Sequence, residues 1–249
     1  MIDAGRYLER IGYRGPVGPT LQTLRGIHRA HMMAVPFENL SVRRGEPIEL
    51  DEEKLFGKIV ARRRGGFCYE LNGLFGALLQ AIGFQVARLA GRVGVNGIPF
   101  DHMALRVDLD EPWLADVGFG DSFLLPLRLR SREPQDGGCG RRYRIDAVDG
   151  GLLLQREGPK GWEREYQFTL EEWPLSAFEG GCRYHRTSPD SHFTRNTVVS
   201  RATETGRITL SGRRLIVTEQ GGRKETELAG DAEVSRVLAE QFGLEEWVP

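Results

Sequence analysis

RRRGGFCYELNGLFGALLQAIGF, residues 62–84, is the stretch on which the rest of the chain can be organised. Leu71, Leu74, Phe75, Leu78, Leu79 and Ile82 recur at intervals of three and four, which predicts a helix with one apolar face ending at Gly83. Cys68 opens that helix behind Gly65 and Gly66. Unpaired backbone N–H groups and the positive end of the helix dipole favour a thiolate at such a position. A small buried cysteine that merely plugs a helix start fits the same letters equally well. The choice rests on what else the chain can bring to the thiol.

Upstream, Leu21, Leu24, Ile27, His28 and His31 share one face of a helix predicted within residues 18–34, which stops before Val35-Pro36. DEEKLFGKIVARR (51–63) has an acidic start and a basic end that suit a helix macrodipole. From Phe84 the period falls to two. FQVARLAGRVGV, DHMALRVDL, PWLADVGFG, RRYRIDAV, GLLLQREG and EREYQFTL are separated by Gly, Pro and Asp turns and predict an antiparallel sheet or small barrel. Residues 171–193 lack a clean period and read as a connecting segment across the surface. Four further strand-like runs and a closing helix from about Asp231 to Phe242 follow, with no internal repeat.

At 249 residues, 40% hydrophobic and 28% charged, the chain can bury a real core. A net charge of -1 with basic residues spread throughout argues against nucleic acid or an anionic membrane as partner, and leaves a small anionic ligand possible. No apolar run approaches a membrane span and the first residues have neither signal nor transit character, so a soluble, cytoplasmic protein is expected. Cys68, Cys139 and Cys182 form no C-x-x-C pair, which disfavours a disulfide framework or a cysteine zinc site.

A nucleophilic thiolate wants a histidine base, and that histidine an orienting carboxylate or amide. DHMALRV (101–107) and PWLADVGFG (112–120) predict a hairpin. A turn centred near residue 109 would set Asp116 opposite His102 on one face, with Ala104 opposite Leu114. Asp116 sits in an apolar run and needs a buried partner. An edge-strand histidine and a turn-capping aspartate would be the plainer reading of each alone. His28 and His31 read as core hydrogen-bonding residues rather than metal ligands, and His185 and His192 as exposed. Glu38 and Asn39 read as turn formers or buried anchors, Glu70 and Asn72 as bonding nearby backbone, and Arg62, Arg63 and Arg64 as a basic helix end. Gly118-Phe119-Gly120 lacks the context of a dinucleotide fingerprint.

Together RYLERIGY (6–13), LRGIHRAHMMAVPFENL (24–40), residues 62–84, DHMALRV, WLADVGFGD (113–121) and SPDSHF (188–193) resemble, in order, the arylamine N-acetyltransferase family. The block R-G-G-F-C-x-E-x-N-G joined to D-V-G-F-G is specific; SPDSHF alone is weak. The family's catalytic cysteine, histidine and aspartate fall on Cys68, His102 and Asp116. The resemblance implies an α+β fold: an N-terminal helical bundle (1–84), an antiparallel β-barrel with connecting segment (85–193) and a C-terminal α/β lid (194–249), around a cysteine-protease-like catalytic core. It implies ping-pong transfer of acetyl from acetyl-CoA, through a Cys68 thioester, to an arylamine, arylhydrazine or arylhydroxylamine, without a metal. Phe37, Phe193 and, more loosely, Phe100 are implied for the acceptor pocket, and Gly120 beside CoA. Asp101 stands where many members carry threonine, and the 93–101 loop is short, which puts acceptor and acyl-donor preference in question. A macrolactam-forming amide synthase of the same superfamily is the next reading, then a thiol hydrolase or transglutaminase-like enzyme. A silent binding module would be marked by loss of a triad residue, and all three are present. Physiological acceptor and oligomeric state stay open.

Overall fold

The computed structural model describes residues 2–219 and 222–245. The N-terminal region holds α1 (Ala4–Arg10), α2 (Leu21–Ala34), a two-residue strand β1 (Phe37–Glu38), α3 (Leu40–Arg43), α4 (Glu52–Phe56) and α5 (Cys68–Ala81). Thr20 caps α2 by accepting Thr23 N–H, so the helix starts a little later than the letters suggest. Asp51 caps α4 in the same way, but the helix continues into a five-residue π segment, Gly57–Ala61. The basic run after it therefore follows a widened turn.

The period-two pattern from Phe84 onward forms one antiparallel sheet. Its strands are β2 (Gln85–Val93), β3 (His102–Asp108), β4 (Pro112–Ala115), β5 (Leu127–Arg128), β6 (Gln135–Asp136), β7 (Arg142–Val148), β8 (Gly151–Gly158) and β9 (Gly161–Phe168), in the order β5-β4-β3-β2-β9-β8-β7-β6. The edge strands β5 and β6 approach each other, and the Gln135 side chain bonds both backbone groups of Arg128, at 2.7 and 3.1 Å, so the sheet is a nearly closed barrel. Leu89, Ala104, Leu114, Tyr143, Ile145, Leu154 and Tyr166 fill it. The opposite face of β3, with Met103, Leu105 and Val107, packs on Leu71, Leu74, Phe75 and Leu78 of α5. Each such buried side chain contributes about 1.5–3 kcal/mol of gross burial energy, so the helix of Cys68 is fixed against the strand of His102.

The segment read as a surface connection is built differently. It forms a short 3₁₀ turn (Leu175–Phe178), α6 (Glu179–Thr187) and α7 (His192–Arg195), and it buries Phe178, Cys182, His185 and Ser191. Its apolar residues are too sparse to show a period, yet they fill the junction between α5 and the barrel. Beyond it, β10 (Val198–Ala202), β11 (Gly206–Ser211), β12 (Arg214–Glu219) and β13 (Gly222–Glu227) make a second antiparallel sheet, covered by α8 (Asp231–Phe242). β1 joins this sheet beside β10, pairing Phe37 with Ser200. The PFEN stretch thus ties the first region to the last. Among the described residues no helix is long and apolar enough to cross a membrane.

Candidate active site

The approach to Cys68 is clamped from both sides. Glu38 N–H donates to Gly66 O at 2.8 Å, and a Cβ on Gly65 would stand 2.0 Å from Pro36 O, so only glycine lets the two segments meet. Glu70 Oε2 accepts Phe67 N–H at 3.2 Å, and its Oε1 pairs with Lys58 Nζ at 2.7 Å. Burial raises the Glu70 carboxyl and Lys58 opposes the rise. Arg64 pairs with the fully buried Glu38 at 2.9 Å, and Glu38 accepts Leu40 N–H. Glu38 and Asn39 are therefore buried anchors, and Arg64 does more than end a helix.

His102 Nε2 lies 2.7 Å from Asp116 Oδ2, with both side chains buried. The register differs from the expected one: Leu105 pairs with Ala115 and Asp108 with Pro112, which centres the turn on Asp110 and puts Leu114 opposite Arg106. Asp116 falls just beyond β4, on the same face as His102 but diagonal to it. A shift of two keeps the face because side chains alternate. The diagonal leaves Asp116 Oδ1 free for other donors. Asn72 Nδ2 donates to it at 2.8 Å and Gly118 N–H at 2.9 Å, while Tyr166 OH donates to Oδ2 at 2.9 Å. Burial pushes the Asp116 carboxyl up, but His102 and these donors outweigh it and hold it below its ordinary value.

Asn72 also donates to Met103 O at 2.6 Å and accepts Val117 N–H at 2.9 Å. It reaches across to the barrel rather than bonding its own helix start, contrary to the expectation. His28 Nε2 accepts Asp116 N–H at 3.1 Å and Nδ1 donates to Leu124 O at 3.0 Å, so the neutral ring is bonded at both nitrogens. Burial lowers its pKa to about 4. His31 bonds Tyr7 OH at 3.0 Å. Both are core residues, as read. His185 is not exposed: it is buried and bonded on both nitrogens. His192 is exposed.

Cys68 is 4% exposed, and the Met103 backbone amide is near enough to favour its ionised form. Met103 directly follows His102. Gly118 abuts the cysteine from the other side, where a Cβ would come within 2.7 Å of Cys68 Cα. Burial pushes the thiol well above its ordinary value, and the Met103 N–H only partly opposes this. The proton needs a base, and His102 keeps Nδ1 without a hydrogen-bond partner among the described residues.

A cleft of about 340 Å³ lies between barrel and second sheet, lined by Phe37, Phe193, Phe119 and Gly120 and, at its polar end, by Arg141 and Arg207. Phe119 reaches from this wall to His102, ring centroids 5.1 Å apart, and Phe193 stands 6.0 Å from Phe67. Gly120 has φ +87 and its carbonyl accepts from Arg207. Phe100 lies elsewhere, packed at 5.0 Å on Trp173 and 5.3 Å on Phe178. Sequence reasoning does not single out Asn72, Tyr166 and His28 as partners of the aspartate. Asn72 carries a signal, four residues from Cys68 on one helix face; Tyr166 carries none. Among the described residues no cluster of three or more His, Cys, Asp or Glu could hold a metal.

A family model described as N-acetyltransferase matches residues 20–246. The arylamine N-acetyltransferase of Mycolicibacterium smegmatis is 37% identical, covering 98% of this chain and 92% of that protein. The chain belongs to the arylamine N-acetyltransferase family. The structure of the Mycobacterium marinum arylamine N-acetyltransferase in complex with CoA superposes with a TM-score of 0.93 at 36% identity, covering 98% of this chain and 93% of that one. The proansamycin X synthase of Amycolatopsis mediterranei is 32% identical, covering 98% of this chain and 99% of that protein. The α+β, cysteine-protease-like fold of the family accords with the barrel, helices and second sheet described above.

Proposed function

We propose that this chain transfers acetyl from acetyl-CoA to the nitrogen of an arylamine or related aromatic acceptor through a thioester on Cys68, with His102 and Asp116 as the other catalytic residues. The observation that carries this reading is the His102–Asp116 contact, which leaves His102 Nδ1 unengaged among the described residues, one residue from the Met103 amide that favours ionised Cys68. His102 takes the thiol proton as sulfur attacks the thioester carbonyl and returns a proton to the leaving CoA thiolate. It then takes a proton from the attacking amine as the acetyl group leaves Cys68. Asp116 stabilises the imidazolium in each half.

The residues present fit the co-substrate. At the polar end of the cleft Asp121 pairs with both Arg141 and Arg207, so one carboxylate faces two guanidinium groups there, while Arg156 behind it also pairs with Glu165. That excess suits the phosphates of CoA, and Gly120 next to it suits a narrow arm. Phe37 and Phe193 offer faces for an aromatic acceptor. A weakly basic arylamine is neutral and nucleophilic at pH 7, whereas an aliphatic amine arrives protonated. We place the activity in the cytoplasm, where acetyl-CoA is used.

Incubation with acetyl-CoA alone, followed by mass analysis of the Cys68 peptide, tests the reading. One added acetyl group with release of CoA is expected. An unmodified peptide with CoA still acylated would sink it. Turnover of arylamines and hydrazines then separates this activity from that of an amide synthase, which would favour its own acyl chain.

A further inference from the structure

A second histidine–carboxylate pair lies beside the first. His185 Nε2 is 2.8 Å from Oδ1 of Asp101, the residue directly before His102. Asp101 Oδ2 accepts Val93 N–H at 3.0 Å and closes the 93–101 loop. On the far side, His185 Nδ1 is 3.1 Å from Ser191 Oγ, which accepts Phe193 N–H at 3.2 Å as the N-cap of α7. One continuous series of hydrogen bonds thus runs from the loop ahead of His102 to the backbone of Phe193. The Phe193 ring packs on Phe37 at 5.9 Å and on Phe67 at 6.0 Å.

The junction is already fastened by apolar contacts. Phe100, at φ +58, packs on Trp173 and Phe178, and Tyr69 OH donates to Phe100 O at 2.8 Å. Gly181 of α6 sits where a Cβ would meet Phe100 O at 2.3 Å. A largely buried polar pair is not needed to hold α6 here. What it adds is direction, because hydrogen bonds fix orientation where apolar packing tolerates small slips. The cationic end of the cleft is held by other elements, through Asp121 and its arginines.

Resting on the proposed acetyl transfer, we infer that Asp101 and His185 are positioning residues for the acceptor: they hold the Phe193 wall in register with His102, and acceptor recognition depends on them while loading of Cys68 does not. The test measures the two half-reactions separately for wild type, Asp101→Asn, His185→Gln and Ser191→Ala. Loading is followed by acetyl on the Cys68 peptide in a single turnover, and transfer by kcat and KM for an arylamine. Loading within about twofold of wild type and an acceptor KM raised about tenfold are expected, and the Asp101→Asn/His185→Gln double variant should be no worse than the worse single. Ser191→Ala breaks the series far from His102, so it carries the test should the Asp101 variant fold poorly. An unchanged acceptor KM in folded His185→Gln and Ser191→Ala overturns the inference, as does loading that falls as far as transfer. A wild type that loads no acetyl overturns the proposed function itself.

Discussion

His102–Asp116 and His185–Asp101 are two histidine–aspartate pairs, the first buried and the second partly so, with nearly the same separation, 2.7 and 2.8 Å. They differ in what the rest of each ring and carboxylate touches. Asp116 accepts from His102, Asn72, Tyr166 and Gly118, and His102 keeps one nitrogen unengaged among the described residues. Asp101 accepts from His185 and Val93, and His185 has both nitrogens engaged. A base needs a nitrogen open to the group it deprotonates; a positioning residue needs both ends tied. The pair is the same chemistry, and its surroundings decide the use.

Breaking the pairs one at a time should separate them. Asp116→Asn is expected to lower kcat by about 10³- to 10⁴-fold, because an amide cannot stabilise the imidazolium and favours the wrong tautomer; steady-state turnover close to that of wild type would contradict the role. Asn72→Ala removes a donor to Asp116 and Met103 and strands Val117 N–H, so a loss of about 2–4 kcal/mol in denaturant unfolding and roughly 10²-fold in kcat are expected. The Asp101 and His185 variants come next, through acceptor KM alone. Tyr166→Phe removes one of the donors to Asp116 and should cost about 1 kcal/mol, seen as a kcat loss of several-fold.

The last test reads stability rather than turnover and concerns His28, a third buried histidine, with both nitrogens bonded to backbone rather than to a carboxylate. Its pKa is about 4 when folded against about 6.5 unfolded, so the unfolded chain binds more protons between these values. Its contribution is complete above about pH 6.5 and is lost as pH falls toward 4, by up to about 3 kcal/mol. Chemical denaturation across that window should show the acid limb, and His28→Gln should flatten it.

Much of this is legible in the letters. The apolar periodicity of residues 71–82 places α5 and Cys68 at its start, since a helix face repeats locally. His102 and Asp116 fall on one face because strand alternation survives a register error of two. What local pattern does not show are contacts between distant segments. Asn72, Tyr166 and His28 meet at Asp116 from three elements, and His185 reads as exposed because a polar residue in a period-free segment carries no sign of burial. The thiol setting is hidden for the same reason: a helix start favours the thiolate, whereas burial, a tertiary property, disfavours it.

The sequence by itself determined which residues could do chemistry and on which helix or strand face they stand, because propensity, alternation and capping act over a few residues. Only the tertiary structure decided which histidine–aspartate pair leaves a ring nitrogen unengaged among the described residues, what surrounds each carboxylate and how deeply the thiol is buried. Those depend on desolvation and hydrogen bonds between segments far apart in the chain, whose strength is set by the packing around them.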